Sequence, residues 1–305
     1  MTTNLKKQSY SDITKGILYA TITGILFGLE YLAVSWVFHH QSTNFSALAI
    51  STVNYCGAFL LALFFLGWRR DFWKRVIPSV KNHYIAMLSV GITIAIGIFL
   101  LFFSVINSSA GSTSLLERTQ LLFIIFLGVV FLKERLNKKQ ILGIIISLIG
   151  FIGISTFPSD LSSLVICAII SAAFLYSLQS FIVKKYVPDV DGLVFSFVRA
   201  GIVSIILLVV FLIFEGINAP FPSISESILL ALAGFFGAFI SRYFYFEAHN
   251  LLPISFLNIF MLLEAVVVVL GEMLFFNFVP FSWTKIIAGS IILSGIGILA
   301  SSKKE

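Results

Sequence analysis

Apolar residues in this chain do not alternate with polar ones. They come in long runs separated by short polar breaks. Ten runs can be traced, at 13–38, 45–66, 84–103, 111–131, 140–157, 161–183, 192–214, 227–246, 254–276 and 285–301. Most approach the roughly 20 residues needed to cross ~30 Å of hydrocarbon at ~1.5 Å per residue. The pattern predicts an all-α integral membrane protein of ten transmembrane helices, joined by short loops and leaving no room for a soluble domain.

The breaks differ in charge. Lys6, Lys7 and Lys15 precede or open the first run. Arg69, Arg70, Lys74, Arg75 and Lys81 follow the second, Lys133, Arg135, Lys138 and Lys139 the fourth, Lys184 and Lys185 the sixth, and Lys303 and Lys304 the last. The alternate breaks, at 39–44, 104–110, 158–160, 215–226 and 277–284, contain no Lys or Arg. Cytoplasmic loops concentrate basic residues, so the alternation puts both termini in the cytoplasm and requires an even number of spans.

Composition agrees. Of 305 residues, 59% are hydrophobic and 11% charged, against about 25% charged in soluble domains. Mean hydropathy is +1.04. The net charge of +6 is accounted for by the cytoplasmic loops, and no nucleic-acid partner is expected. Cys56 and Cys167 lie inside apolar runs as small packing residues. Residues 1–12 are polar and the first run is long, so no cleavable signal peptide is expected.

Run 2 contains Leu48-Ala49-Ile50-Ser51-Thr52-Val53-Asn54, and run 7 contains Leu193-Val194-Phe195-Ser196-Phe197-Val198-Arg199. Runs 5 and 10 share Gly143…Ser147…Gly150 and Gly289…Ser294-Gly295 patterns. The order of similar segments suggests two units, 1–157 and 158–305. Five helices per unit is odd, so the second unit enters the membrane from the opposite face as an inverted repeat. In transporters built this way the site lies near the midplane, between the repeats.

Several segments resemble the drug/metabolite transporter superfamily, EamA type. Leu132-Lys133-Glu134-Arg135-Leu136, followed by Gln140-Ile141-Leu142-Gly143, is similar to its Gly–Glu–Arg–Leu segment and glycine-marked fifth helix. Phe27-Gly28-Leu29-Glu30-Tyr31 is similar to its aromatic–Gly–x–Asn–Phe segment, and Leu263-Glu264-Ala265 to its Leu–Glu–Pro segment. The resemblance implies ten helices in two repeats, export of small metabolites, and a dimer contact through helices 5 and 10. The chain departs from the pattern inside the expected cavity. The family's Asn is Glu30 here, its Lys is Ser35 and its helix-2 Arg is Asn54, while Arg199 takes the matching place in run 7. The helix-4 Pro is absent near Thr119 and Gln120, and the helix-9 Pro is Ala265. Asn277-Phe278-Val279-Pro280 stands where a second Glu–Arg segment is expected.

A charged side chain at a helix centre costs roughly 2.5–3.5 kcal/mol on insertion, so such residues face a cavity or a partner. Arg118 and Glu264 occupy roughly matching places in the two halves. Arg118 suits an anionic group of a substrate, and Glu264 a cationic group or a proton; an ion pair fixing run 4 against run 9 is the structural alternative. Glu30 either meets a cation or carries a proton, so Glu30 and Glu264 are the proton-coupling candidates. Arg199 is too deep to reach water easily and is expected to line the cavity or to pair. Asn54, Gln120, Tyr245 and Asn258 complete the expected lining. Glu117 points away from Arg118 around the helix. Arg242 and Glu247 are expected to reach the cytoplasmic headgroups and Glu272 lies near the outer end, with structural roles for all three, while Tyr176, Gln179 and Tyr243 suit a cavity but are read first as packing or helix–helix contacts.

No phosphate-binding loop, zinc motif or nucleophile–base set is present, so no enzyme activity, metal or cofactor is expected. The reading is a multi-pass secondary transporter in the cell membrane. It would move a small polar or zwitterionic metabolite (amino-acid-like, nucleoside-like or drug-like) by alternating access. An intramembrane enzyme, a lipid-handling protein and a channel are the alternatives.

Overall fold

The computed structural model describes residues 10–40, 45–132, 138–156, 161–187, 190–251, 254–276 and 283–301. Every regular element among them is helical. In chain order they are α1 (Tyr10–His40), α2 (Ala47–Leu66), α3 (Arg70–Asn107), α4 (Ala110–Glu117), α5 (Gln120–Leu132), α6 (Lys138–Thr156), α7 (Ser163–Tyr186) and α8 (Gly192–Phe214). Then come α9 (Ile224–Gly234), a π-helical turn (Phe235–Ile240), α10 (Ser241–Leu251), α11 (Ile254–Phe275) and α12 (Trp283–Ser301). Six helical stretches among the described residues are long and apolar enough to span a bilayer: those of α1, α2, α3, α7, α8 and the continuous α9–α10 rod. Shorter apolar stretches, Ile141–Gly150 and Ile286–Gly295, form the middles of α6 and α12.

Polar breaks become helix starts because a short side chain there satisfies the first free N–H groups. Ser46 accepts from Ala49 N at 2.9 Å, and Asp191 accepts from Leu193 N and Val194 N at 2.9 and 3.2 Å. Ser223 and Glu226 form a reciprocal capping box.

The surface is inverted relative to a soluble protein. Leu60, Phe64, Ile205, Ile213 and Phe214 are exposed, whereas Glu30, Glu117, Arg118, Arg199, Glu264 and Glu272 are buried. Hydrocarbon outside and charge inside is the arrangement a bilayer favours.

Three runs depart from straight helices. The basic stretch after α2, read from sequence as a loop, forms the first turns of α3. Phe72 and Val76, one turn apart, bury against the core while Lys74 faces water. His83, at φ −128° and ψ 22°, then kinks the helix. The run at 111–131 is broken at Arg118 and Thr119. Arg118 N and Thr119 N bond back three residues, to Leu115 O and Leu116 O, and Leu121 N bonds to Arg118 O. Run 227–246 carries the π-helical turn, an irregularity frequent at functional sites.

Packing brings α1 onto α10 and α11, α2 onto α8 and α9, and α3 onto α7 and α8. It also brings α4 onto α11, α5 onto α7, and α6 onto α12. Glycines set the α6–α12 distance. A Cβ at Gly150 would lie 2.7 Å from Ile292 N and 2.8 Å from Ala288 O, and one at Gly295 would lie 2.7 Å from Gly143 O. Gly143 and Ser147, small residues suited to close helix contact, are therefore used within the chain.

Because two of the atoms facing Gly150 are backbone and cannot turn aside, Gly150→Ala should destabilise the protein by about 1–3 kcal/mol, the usual range for overpacking. Gly153→Ala should be nearly neutral, since among the described residues its Cβ meets only Ala288 Cβ, at 3.4 Å. Thermal unfolding of the two purified variants checks the contrast.

Candidate functional site

A cavity of about 50 Å³ opens where the central helices converge. By this measure one water needs roughly 10–15 Å³, so it holds only a few. Phe27, Glu30 and Tyr31 reach it from α1, Tyr55 from α2, and Ile98 and Leu101 from α3. The broken span contributes Glu117, Arg118, Gln120 and Leu121. Tyr176 and Ser180 come from α7, Arg242 and Tyr245 from α10, and Glu264 from α11.

Arg118 is the hub of one wall. Its Nη2 lies 2.7 Å from Glu264 Oε1 and 3.0 Å from Glu117 Oε2. Its Nε donates to Ser114 O at 3.3 Å, and the Tyr31 hydroxyl donates to Glu117 Oε2 at 2.6 Å. Arg118 caps the C-terminus of α4, where the helix dipole favours a cation. At this point the helix tightens to three-residue hydrogen bonds beside the cavity.

Arg242 is placed differently. Its guanidinium sits 4.1 Å from the Phe27 ring centroid, with Tyr176 and Tyr245 at 5.6 and 6.0 Å. Among the described residues no carboxylate comes within 4.0 Å of it, and its Nε has no hydrogen-bond partner. Glu30 is also buried, with Oε1 unpartnered. Its Oε2 packs where Gly237 of the π-helical turn has no side chain.

Arg199 stands behind this wall. Its Nη2 donates to the Tyr55 hydroxyl at 2.9 Å and its Nη1 to Ala238 O at 3.1 Å, so it fastens the π-helical turn to α8. Asn54 is buried, and its Nδ2 donates to Leu230 O at 3.3 Å. Thr23 Oγ1 donates to Ser241 O at 3.2 Å, and Ser241 Oγ to Gly237 O. These bonds satisfy carbonyls around the turn, as burial requires.

Of the residues expected from sequence, Glu264, Arg118, Glu30, Gln120 and Tyr245 line the cavity. Arg199 and Asn54 do not, standing one layer behind. Asn258 falls within α11, but its side chain lies outside the described ones, as do residues 133–137 of the Glu–Arg segment. Four expectations are corrected. Arg242 and Tyr176 were read as a headgroup contact and as packing, yet both line the cavity, because the π-helical turn and the α1–α10 contact carry that face inward. Glu272 was expected near the outer end. It is buried, and its carboxylate accepts from Ala110 N at 2.6 Å and Gly111 N at 2.8 Å, capping α4. The depth of α4 in the bundle, which decides this, leaves no mark on the local sequence of α11. Glu117 turns back to Arg118 instead of away from it.

The sequence profile of the EamA-like transporter family matches residues 14–156 and again residues 163–301. A Bacillus subtilis protein named as an uncharacterized transporter is 26% identical over 297 residues, 96% of each chain. A Salmonella typhimurium protein named as a probable amino-acid metabolite efflux pump is 25% identical over 280 residues, 84% of this chain and 87% of its own. An uncharacterized transporter of Methanothermobacter thermautotrophicus is 29% identical over 150 residues. There the match spans 47% of this chain and less than half, 43%, of the archaeal protein. One crystal structure, 13% identical, shares the fold with a TM-score of 0.66 over 93% of this chain and 96% of that one.

Removing Arg118 strands two buried carboxylates. Arg118→Met should lower stability by about 3–5 kcal/mol, and adding Glu117→Gln with Glu264→Gln should restore most of it. Thermal unfolding of the single, double and triple variants measures the coupling. Glu272→Ala, which leaves two N–H groups unsatisfied, should cost about 1–3 kcal/mol in the same assay.

Proposed function

This chain belongs to the EamA-like transporter family, and from that premise we propose that it is a secondary transporter that moves a small polar or zwitterionic metabolite, amino-acid-like in its charges, through the Arg118–Glu264 cavity by alternating access. The multi-pass helical chain acts in the cell membrane, in the direction of export. The efflux name of the Salmonella relative supports that direction.

In this reading the chain crosses the bilayer ten times, with both ends cytoplasmic. The α4–α5 pair and the α9–α10 rod each count as one interrupted span, and 1–157 and 158–305 are inverted repeats. Two observations support it. The family profile matches twice in tandem. The packing also survives exchange of the halves: α2 meets α8 and α6 meets α12, while α1 on α10 mirrors α3 on α7, and α2 on α9 mirrors α3 on α8. The exposed apolar faces of α6 and α12 remain open to lipid or to a second copy of the chain.

The observation that carries the function is the closed Arg118–Glu264 pair at a helix break, inside a cavity too small for a metabolite. Such a pair is near energetic balance, because the desolvation cost of both charges offsets their attraction. The pair can therefore open when the helices part and admit a charged substrate. Glu264, and Glu30 beside it, are also the carboxyls that can take up a proton when no cation faces them.

Counterflow in proteoliposomes tests this. Labelled amino acids should show saturable exchange, and Glu264→Gln and Arg118→Ala should each slow it by roughly 10- to 100-fold. That factor corresponds to the ~1.5–3 kcal/mol of a hydrogen bond to a charged group. Substrate-driven acidification or alkalinisation of the lumen should disappear in Glu264→Gln or Glu30→Gln. Unchanged counterflow in all three variants would reject the site.

A further inference from the structure

The charge balance of the cavity assigns its residues unequal roles. Arg118 is already held by two carboxylates, at 2.7 and 3.0 Å. An incoming carboxylate would have to displace one of them or share its cation against like-charge repulsion. Arg242 has no such competitor among the described residues. Its guanidinium carbon lies 4.1 Å over the Phe27 ring centroid, and its Nε has no hydrogen-bond partner. A guanidinium held over an aromatic ring is positioned in advance for a two-pronged hydrogen bond to a planar anion. On the same cavity, Glu30 Oε1 is buried without a partner.

Resting on the transporter reading above, we propose that Arg242, and not Arg118, receives the carboxylate of the substrate, with Glu30 facing its ammonium group. Arg118 then keeps the Glu117–Glu264 wall closed, while Arg242 of α10 and Glu30 of α1, opposite charges outside that wall, read a zwitterion. Phe27 is the platform that holds Arg242 in place, and Tyr176 and Tyr245 confine it from the other sides. No bond is made or broken.

The probes are the twenty protein amino acids and their primary amides, which keep the ammonium and the side chain but lose the carboxylate charge. Binding is read as thermal stabilisation of the full-length protein in detergent, since a ligand stabilises the state it binds. At least one amino acid should bind the wild type roughly tenfold or more tightly than its amide. Arg242→Gln should abolish that preference, and Arg242→Lys, with charge but no planar fork, should keep only part of it. A second measurement needs no variant. The same amino acid, but not its amide, should protect Arg242 from a guanidine-specific dicarbonyl reagent, read by peptide mass spectrometry with Arg118 as internal reference.

Equal binding of acid and amide, protection of Arg118 with Arg242 unprotected, an intact preference in Arg242→Gln, or no binding by any amino acid would overturn the assignment. Failure of the transport reading is distinguishable: counterflow would then be absent in the wild type or indifferent to Glu264→Gln, whatever Arg242 does.

Discussion

One guanidinium nitrogen of Arg118 is shared between Glu264 of α11 and Glu117 of its own half-helix, and the interior is organised around that sharing. Ions in a medium of low polarisability are tolerated only when their counter-ions and hydrogen bonds are in place. The requirement fixes α4 against α11 at one end, and Glu272, accepting from the first N–H groups of α4, fixes it at the other. Tyr31 ties α1 into the same network through Glu117. A short helix of eight residues, Ala110–Glu117, is thereby held by two carboxylates of one neighbour. The chain can stop being helical at Arg118 and resume at Gln120.

Two of the irregular backbone elements, the Arg118–Thr119 break and the π-helical turn, lie beside the cavity, where unpaired carbonyls would not be tolerated. At Arg118–Thr119 the tightened bonds and the Arg118 side chain take them up. At the π-helical turn Arg199, Ser241 and Thr23 do so. Arg199 is thus a positioning residue: it anchors the turn that brings Arg242 to the cavity, and through Tyr55 it supports the wall. With Asn54 it makes a buried polar layer behind the lining.

The cavity holds two cations, Arg118 and Arg242, and three carboxylates, Glu30, Glu117 and Glu264. Arg118, Glu117 and Glu264 form one ionic cluster, and Arg242 and Glu30 stand outside it. Phe27, Tyr31, Tyr55, Tyr176 and Tyr245 add aromatic rings to the lining, so charged and apolar surfaces alternate around the cavity.

What the sequence determined by itself is what local free energy decides. Each apolar run seeks hydrocarbon or a packed interior on its own account, so the helix at 192–214 was legible to the residue, as Gly192–Phe214, and most others within a few positions, although α3 begins fourteen residues before its apolar run and the run at 111–131 is divided between α4 and α5. The rarity of charge in those runs singled out Glu30, Arg118 and Glu264, because a buried ion is conspicuous wherever it sits. Tertiary structure decided which ions meet. The partner of Arg118 is 146 residues away and that of Tyr31 is 86 away, separations that no local pattern encodes. It also decided that Arg242 faces inward and Arg199 stands behind, because a π-helical turn and a glycine-permitted contact rotate one helix face by an amount the apolar periodicity does not record.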